Sequence, residues 1–205
     1  MSEELEARLR QGDEQALAAL FTQHRPHLFK IISFRLDPRL AQRVDPEDIL
    51  QEAFLAAQTR LVHFVKDPMA SSFLWLRLIT LQTLQDVYRR HASAKQRDFN
   101  RDVAMDAFSG NDQTSVALVN RLAVRGPSPA SIAARRDLIS RIGEFISQLE
   151  PIDREVIALR HYEELSNSET ARVLGIQEKA ASIRYMRALK RLKDLMAQLD
   201  SLGDS

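Results

Sequence analysis

Ser166-Asn167-Ser168-Glu169-Thr170-Ala171-Arg172-Val173-Leu174-Gly175-Ile176, continued by Gln177-Glu178-Lys179-Ala180-Ala181, decides how this chain is read. Ser166 and Glu169 form an S-x-x-E capping box that opens a short helix carrying Ala171, Val173 and Leu174. Gly175 suits the left-handed position that closes it. Ile176 restarts the apolar pattern, and a longer helix runs from Glu178 through Ala181, Tyr185, Leu189 and Leu192. A small residue at Ala171, a turn glycine, and packing residues at Ile176 and Ala181 have the spacing of a helix-turn-helix. The second helix would present Gln177, Glu178, Lys179, Ser182, Ile183 and Met186 to a major groove. Arg184, Arg187, Lys190 and Arg191 would supply cations for phosphates. An amphipathic hairpin with a solvated basic face gives the same pattern.

Working outward, Pro151 sits at the first position of a preceding helix with Ile152, Val156 and Leu159. The unit containing all this spans 131–205. Before it, residues 93–130 interleave Asp, Asn, Ser, Gly and Arg and end in Gly126-Pro127-Ser128-Pro129, which reads as a flexible linker. Val116, Leu118, Val119 and Leu122 allow a short helix inside it. Residues 1–92 are helical again. Leu17, Leu20, Phe21, His24, Leu28, Ile31 and Ile32 form one stripe, with Asp13 as N-cap. Asp45 caps the next helix, with Pro46, Glu47 and Asp48 at its positive end and Ile49, Ala53, Phe54, Ala57 and Leu61 facing inward. A third helix from Ser72 to His91 buries Phe73, Leu76, Ile79, Leu84 and Val87. The expected fold is all-α: two small helical domains joined by a flexible linker, the C-terminal one containing a helix-turn-helix.

Charge separates the two ends. Asp45, Glu47, Asp48 and Glu52 stand together without a base, whereas Lys179 to Lys193 is rich in cations. Asp48, Gln51 and Glu52, at i, i+3 and i+4, share a helix face, for which solvation alone is a sufficient explanation. Composition excludes other classes. Among 205 residues there is no cysteine, so no disulfide scaffold, thiol nucleophile or Cys-based metal site. No apolar run reaches membrane-spanning length, and the acidic N-terminus is no signal peptide, so a cytoplasmic protein without membrane insertion is expected. Walker, G-x-S-x-G and G-x-G-x-x-G patterns are missing. His24 and His27 form an H-x-x-H pair interrupted by Pro26, with no further ligand signature. No catalytic residue, metal site or cofactor is expected, and the chain does not read as an enzyme.

Two segments together resemble the sigma-70 family of RNA polymerase sigma factors, of the extracytoplasmic-function type. Asp45-Pro46-Glu47-Asp48-Ile49-Leu50-Gln51-Glu52-Ala53-Phe54 is similar to the core-binding signature of region 2, followed by Phe73, Trp75 and Leu76 and then by Asp86, Arg89 and Arg90. Leu149-Glu150-Pro151 to Arg160, and Leu165-Ser166 to Leu192, look like region 4. The resemblance implies contacts to core polymerase through Asp48, Gln51 and Glu52, with Ile49 and Phe54, on the clamp helices of the largest subunit; the flap is a further expected contact. It implies −10 contacts from Trp75, Arg77, Gln82, Asp86, Arg89 and Arg90. It implies −35 contacts from Glu178, Lys179, Ser182, Ile183, Arg184, Arg187, Lys190 and Arg191. Promoter DNA is then a partner, and an anti-sigma factor is a further one the family allows. The chain departs from the family at Leu81-Gln82, where Arg and Asn are common, and at Ala180 to Arg184, one cation poorer than T-V-K-S-R. A stand-alone helix-turn-helix regulator and a non-initiating protein that sequesters a partner are the competing readings.

Overall fold

The computed structural model describes residues 2–66, 71–98, 110–125 and 132–203. The chain divides into two compact units, Met1–Met105 and Asp106–Ser205. Among the described residues every regular element is helical.

The first unit contains α1 (Ser2–Leu9), α2 (Glu14–Arg35), α3 (Pro46–Val65) and α4 (Ser72–Asp98). Asp13 caps α2, its carboxylate accepting the amides of Gln15 and Ala16 at 2.8 and 3.2 Å. Arg8 Nε donates to the same carboxylate at 2.8 Å. That hydrogen bond leads the causes that hold the Asp13 pKa below its ordinary value. Gly12 makes the corner between α1 and α2 with φ +82°. Asp45 caps α3 by accepting the Glu47 amide at 2.9 Å, and Pro46 takes the first turn, where an amide would be unpaired anyway. α2, α3 and α4 pack on one another, and α1 lies on α2. Leu17, Leu20, Leu28, Ile31 and Ile32 of α2 meet Ile49, Leu50, Ala53, Ala57 and Phe64 of α3 and Leu76, Ile79 and Leu84 of α4, all buried. Each large side chain so buried stabilises the unit by about 2 kcal/mol before chain entropy is counted. The expected apolar stripes are the observed core, except that Phe54 is half-buried. His24 and His27 both lie against the Phe73 ring, at 5.2 and 4.6 Å between centroids, so this pair packs an aromatic cluster.

The second unit contains α5 (Gly110–Arg125), α6 (Ile132–Gln148), α7 (Pro151–Ile157, continued by a π turn over Ala158–Tyr162), α8 (Asn167–Leu174) and α9 (Glu178–Gly203). Here the structure departs from the expected linker over 93–130. α4 runs on through Asp98, and α5 is four turns of helix packed on α6 and α7. Ala117, Leu118 and Leu122 are buried there, and Thr114 Oγ1 is hydrogen-bonded to Glu155 at 2.5 Å. The polar composition of the stretch describes its outer face, while three apolar residues at helical spacing supply the contact. The Gly126 to Pro129 part of the expected linker lies outside the described residues. No described helix is long and apolar enough to cross a membrane.

Candidate functional site

The acidic face of α3 begins at its capped end. Asp48 and Gln51 are exposed, one turn apart, on the side away from the core. Glu47 is paired with Arg25 of α2. Glu52 is half-buried and accepts from Arg90 of α4 at 2.6 Å. Ile49, also in the expected contact set, is fully buried in the three-helix core. Phe54 is half-buried, with its ring 5.0 Å from Phe21, so much of it is also committed to packing.

The expected −10 residues all lie on α4, but not on one surface. Trp75 is half-buried against Phe64, ring centroids 4.9 Å apart. Arg77, expected at a DNA surface, is buried, 6% exposed. Gln82 Oε1 accepts from Arg60 of α3 at 2.5 Å. Asp86 and Arg89 pair with each other one turn apart, and Arg90 joins Glu52. The ends of the acidic face and of the α4 polar face therefore meet at the Glu52–Arg90 ion pair. The sequence does not announce that pair, because its members are 38 residues apart.

In the second unit the capping box is complete: Ser166 Oγ accepts the Glu169 amide at 3.2 Å, and Glu169 accepts the Ser166 amide at 2.8 Å. Gly175 has φ +63°, and the Ile176 amide reaches back to the Ala171 carbonyl at 3.0 Å, which ends α8 in a left-handed turn. Asn167 Nδ2 donates to the Glu178 carbonyl at 2.8 Å and ties the two helix starts together. Ala171 and Ala181 are buried where α8 and α9 meet, as small residues at a close crossing must be.

α9 carries every expected −35 residue, and the structure sorts them into two groups. Glu178, Lys179, Ser182, Ile183 and Lys190 are exposed. Arg184, Arg187 and Arg191 reach toward α7, though Arg187 and Arg191 stay exposed as well. Arg184 Nη1 donates to Glu150 and Asp153, each at 2.9 Å. Arg187 Nη2 lies 3.2 Å and Arg191 Nη1 4.0 Å from the same Asp153 carboxylate. Asp153 is fully buried. The Arg184 hydrogen bonds to Glu150 and then to Asp153 raise the Arg184 pKa above its ordinary value. A buried carboxylate needs such partners, since leaving it alone in a low dielectric is costly. Glu150 and Asp153 are the residues the sequence reading missed. An acid in the first turn of a helix is already explained by the helix dipole, so nothing local points to arginines more than thirty positions downstream.

The model of "Sigma-70, region 4" matches residues 139–192, which takes in most of α6, all of α7 and α8 and the first half of α9. The RNA polymerase sigma factor CnrH of Cupriavidus metallidurans is 29% identical over 193 residues, 94% of this chain and 92% of its own. The ECF RNA polymerase sigma factor SigD of Mycobacterium tuberculosis is 25% identical, covering 89% of this chain and 78% of its own. A solved structure of CnrH in complex with the cytosolic domain of CnrY resembles this chain at 27% identity with a TM-score of 0.51, over 96% of each chain.

Proposed function

Since this chain belongs to the sigma-70 family, in its extracytoplasmic-function branch, and so directs promoter recognition and transcription initiation, we propose that its two units divide that work. The first unit docks on core polymerase, with Asp48 and Gln51 of α3 exposed for the clamp helices of the largest subunit and Glu52 beside them. The polar residues of α4, with Trp75 at its start, take the −10 element as it opens. The second unit reads the −35 element as duplex with α9 and holds the flap. The chain acts as a regulatory DNA-binding protein in the cytoplasm, and the solved CnrH–CnrY complex supports an anti-sigma partner for it.

The observation that carries the reading is the complete α8–α9 helix-turn-helix, lying inside the region 4 match and exposing Lys179, Ser182 and Lys190. The energetics agree with a recruited protein. Unstacking bases costs a few kcal/mol each. A single helix-turn-helix on a chain of net charge +1 does not supply that alone. Two weak modules held on one polymerase act at high effective concentration. Docking also bears on the Glu52–Arg90 pair: a basic polymerase surface that attracts Glu52 loosens Arg90 for the DNA backbone.

The purified chain added to sigma-free bacterial core polymerase is expected to start transcription at discrete sites on a genomic promoter library. Asp48→Arg is expected to weaken core binding roughly tenfold, by placing a cation against a basic surface. No discrete start site with the native chain overturns the reading.

A further inference from the structure

The helix that faces the groove keeps its arginines elsewhere. At 100° per residue, Arg184, Arg187 and Arg191 lie on one side of α9, about a third of a turn away from Lys179. All three converge on a fully buried carboxylate, and Arg184 is held by two acids at once. The strip around Lys179 is different. Lys179, Ser182, Ile183, Met186, Lys190 and Lys193 fall within an arc of about 100° along α9. Its middle is apolar: Ile183 is 57% and Met186 64% exposed, one turn apart. Its ends carry exposed lysines, and the exposed acids of this part of the helix, Glu178 and Asp194, lie outside the arc.

An apolar pair between cations matches one feature of a polyanionic duplex. Base edges in the major groove are mostly hydrogen-bonding groups, and the apolar one is the C5-methyl of thymine. Cations on either side suit phosphates flanking such a contact better than they suit an apolar protein surface. We infer that Ile183 and Met186 read thymine methyl groups in the −35 element, so that this chain selects its upstream promoter box by apolar contact instead of by arginine hydrogen bonds. The inference rests on the reading given under the proposed function and adds which side chains discriminate and what they discriminate. Lys179 and Lys190 then position the helix on the backbone, and the Asp153 cluster holds the helix at the angle that presents the strip.

The test uses the full chain with core polymerase on a promoter found by start-site mapping. Each thymine of the upstream box is replaced in turn by deoxyuridine, which deletes the methyl and leaves pairing, hydrogen bonds and charge unchanged. At one or two positions the native holoenzyme is expected to lose about fourfold in affinity, the worth of one buried methyl. Ile183→Ala and Met186→Ala are expected to bind the thymine promoter about that much more weakly and to respond less to deoxyuridine at the matching position. Both side chains are exposed, so circular dichroism and melting of the variants are expected to match the native chain. Native binding that ignores every thymine-to-deoxyuridine change overturns the inference and assigns the apolar pair to a protein partner. So does discrimination that survives in both variants, or an upstream box with no thymine on either strand. Each of those results leaves initiation itself intact, whereas failure of the proposed function appears earlier, as no start site to map.

Discussion

Tyr88 joins two pieces of backbone. Its hydroxyl accepts the Asp37 amide at 2.6 Å and donates to the Arg35 carbonyl at 3.0 Å, so α4 holds the end of α2 and the turn that follows. Burial pushes the Tyr88 hydroxyl from its ordinary value of 10.0 up to about 12. The fold thus favours the neutral phenol. Its contribution is complete below about pH 10, where the unfolded side chain is also neutral, and is lost as pH rises from there to about 12. Alkaline denaturation of the native chain is expected to steepen across that window, and Tyr88→Phe to remove the added steepness. The same substitution is expected to cost about 1–3 kcal/mol at neutral pH in a urea titration, because it leaves a buried amide and carbonyl without their partner. Asp37-Pro38 is visible in the sequence as a break, but Tyr88 is 51 residues away, and no local pattern connects them. Asp153 and its arginines are hidden for the same reason. Arg77 shows the converse: its place on the helix marks it as a contact, and only packing reveals that it is buried, whereas the apolar stripe of α3 already turns Ile49 inward.

The elements are more legible than their partners. Capping boxes, first-turn prolines and apolar stripes act within one or two turns, so α2, α3, α8 and the start of α9 lie where those signals put them. Gly175 offers a clean measurement of one such signal. A Cβ placed there meets nothing within 4 Å, so Gly175→Ala tests the left-handed backbone alone. It is expected to destabilise the second unit by about 1 kcal/mol, and Gly175→Asn by less, in thermal melts of the full chain. An equal, near-zero effect of both would mean the α8–α9 turn is not held at φ +63°. Val116, Leu118, Val119 and Leu122 allow a helix within α5, but its docking is hidden because the stretch is polar on average and the contact uses only Ala117, Leu118 and Leu122. Composition averages over a helix surface, and docking depends on one side of it.

At the scale of the molecule, two cores share one chain, Met1–Met105 and Asp106–Ser205, and a cooperative transition belongs to each core. The separation was legible from the opposite charge of the two ends, although its boundary was not, since residues 110–125 belong with the second unit. Urea titration followed by helical dichroism is expected to show two steps, and coincident steps under every probe would mean that the cores unfold as one. The chain has a single tryptophan, and Trp75 leans on Phe64 inside the first unit alone. Its fluorescence is therefore an intrinsic beacon for one half of the protein: a shift in emission colour during the urea titration reports on that half without any attached dye, while the other half holds no tryptophan.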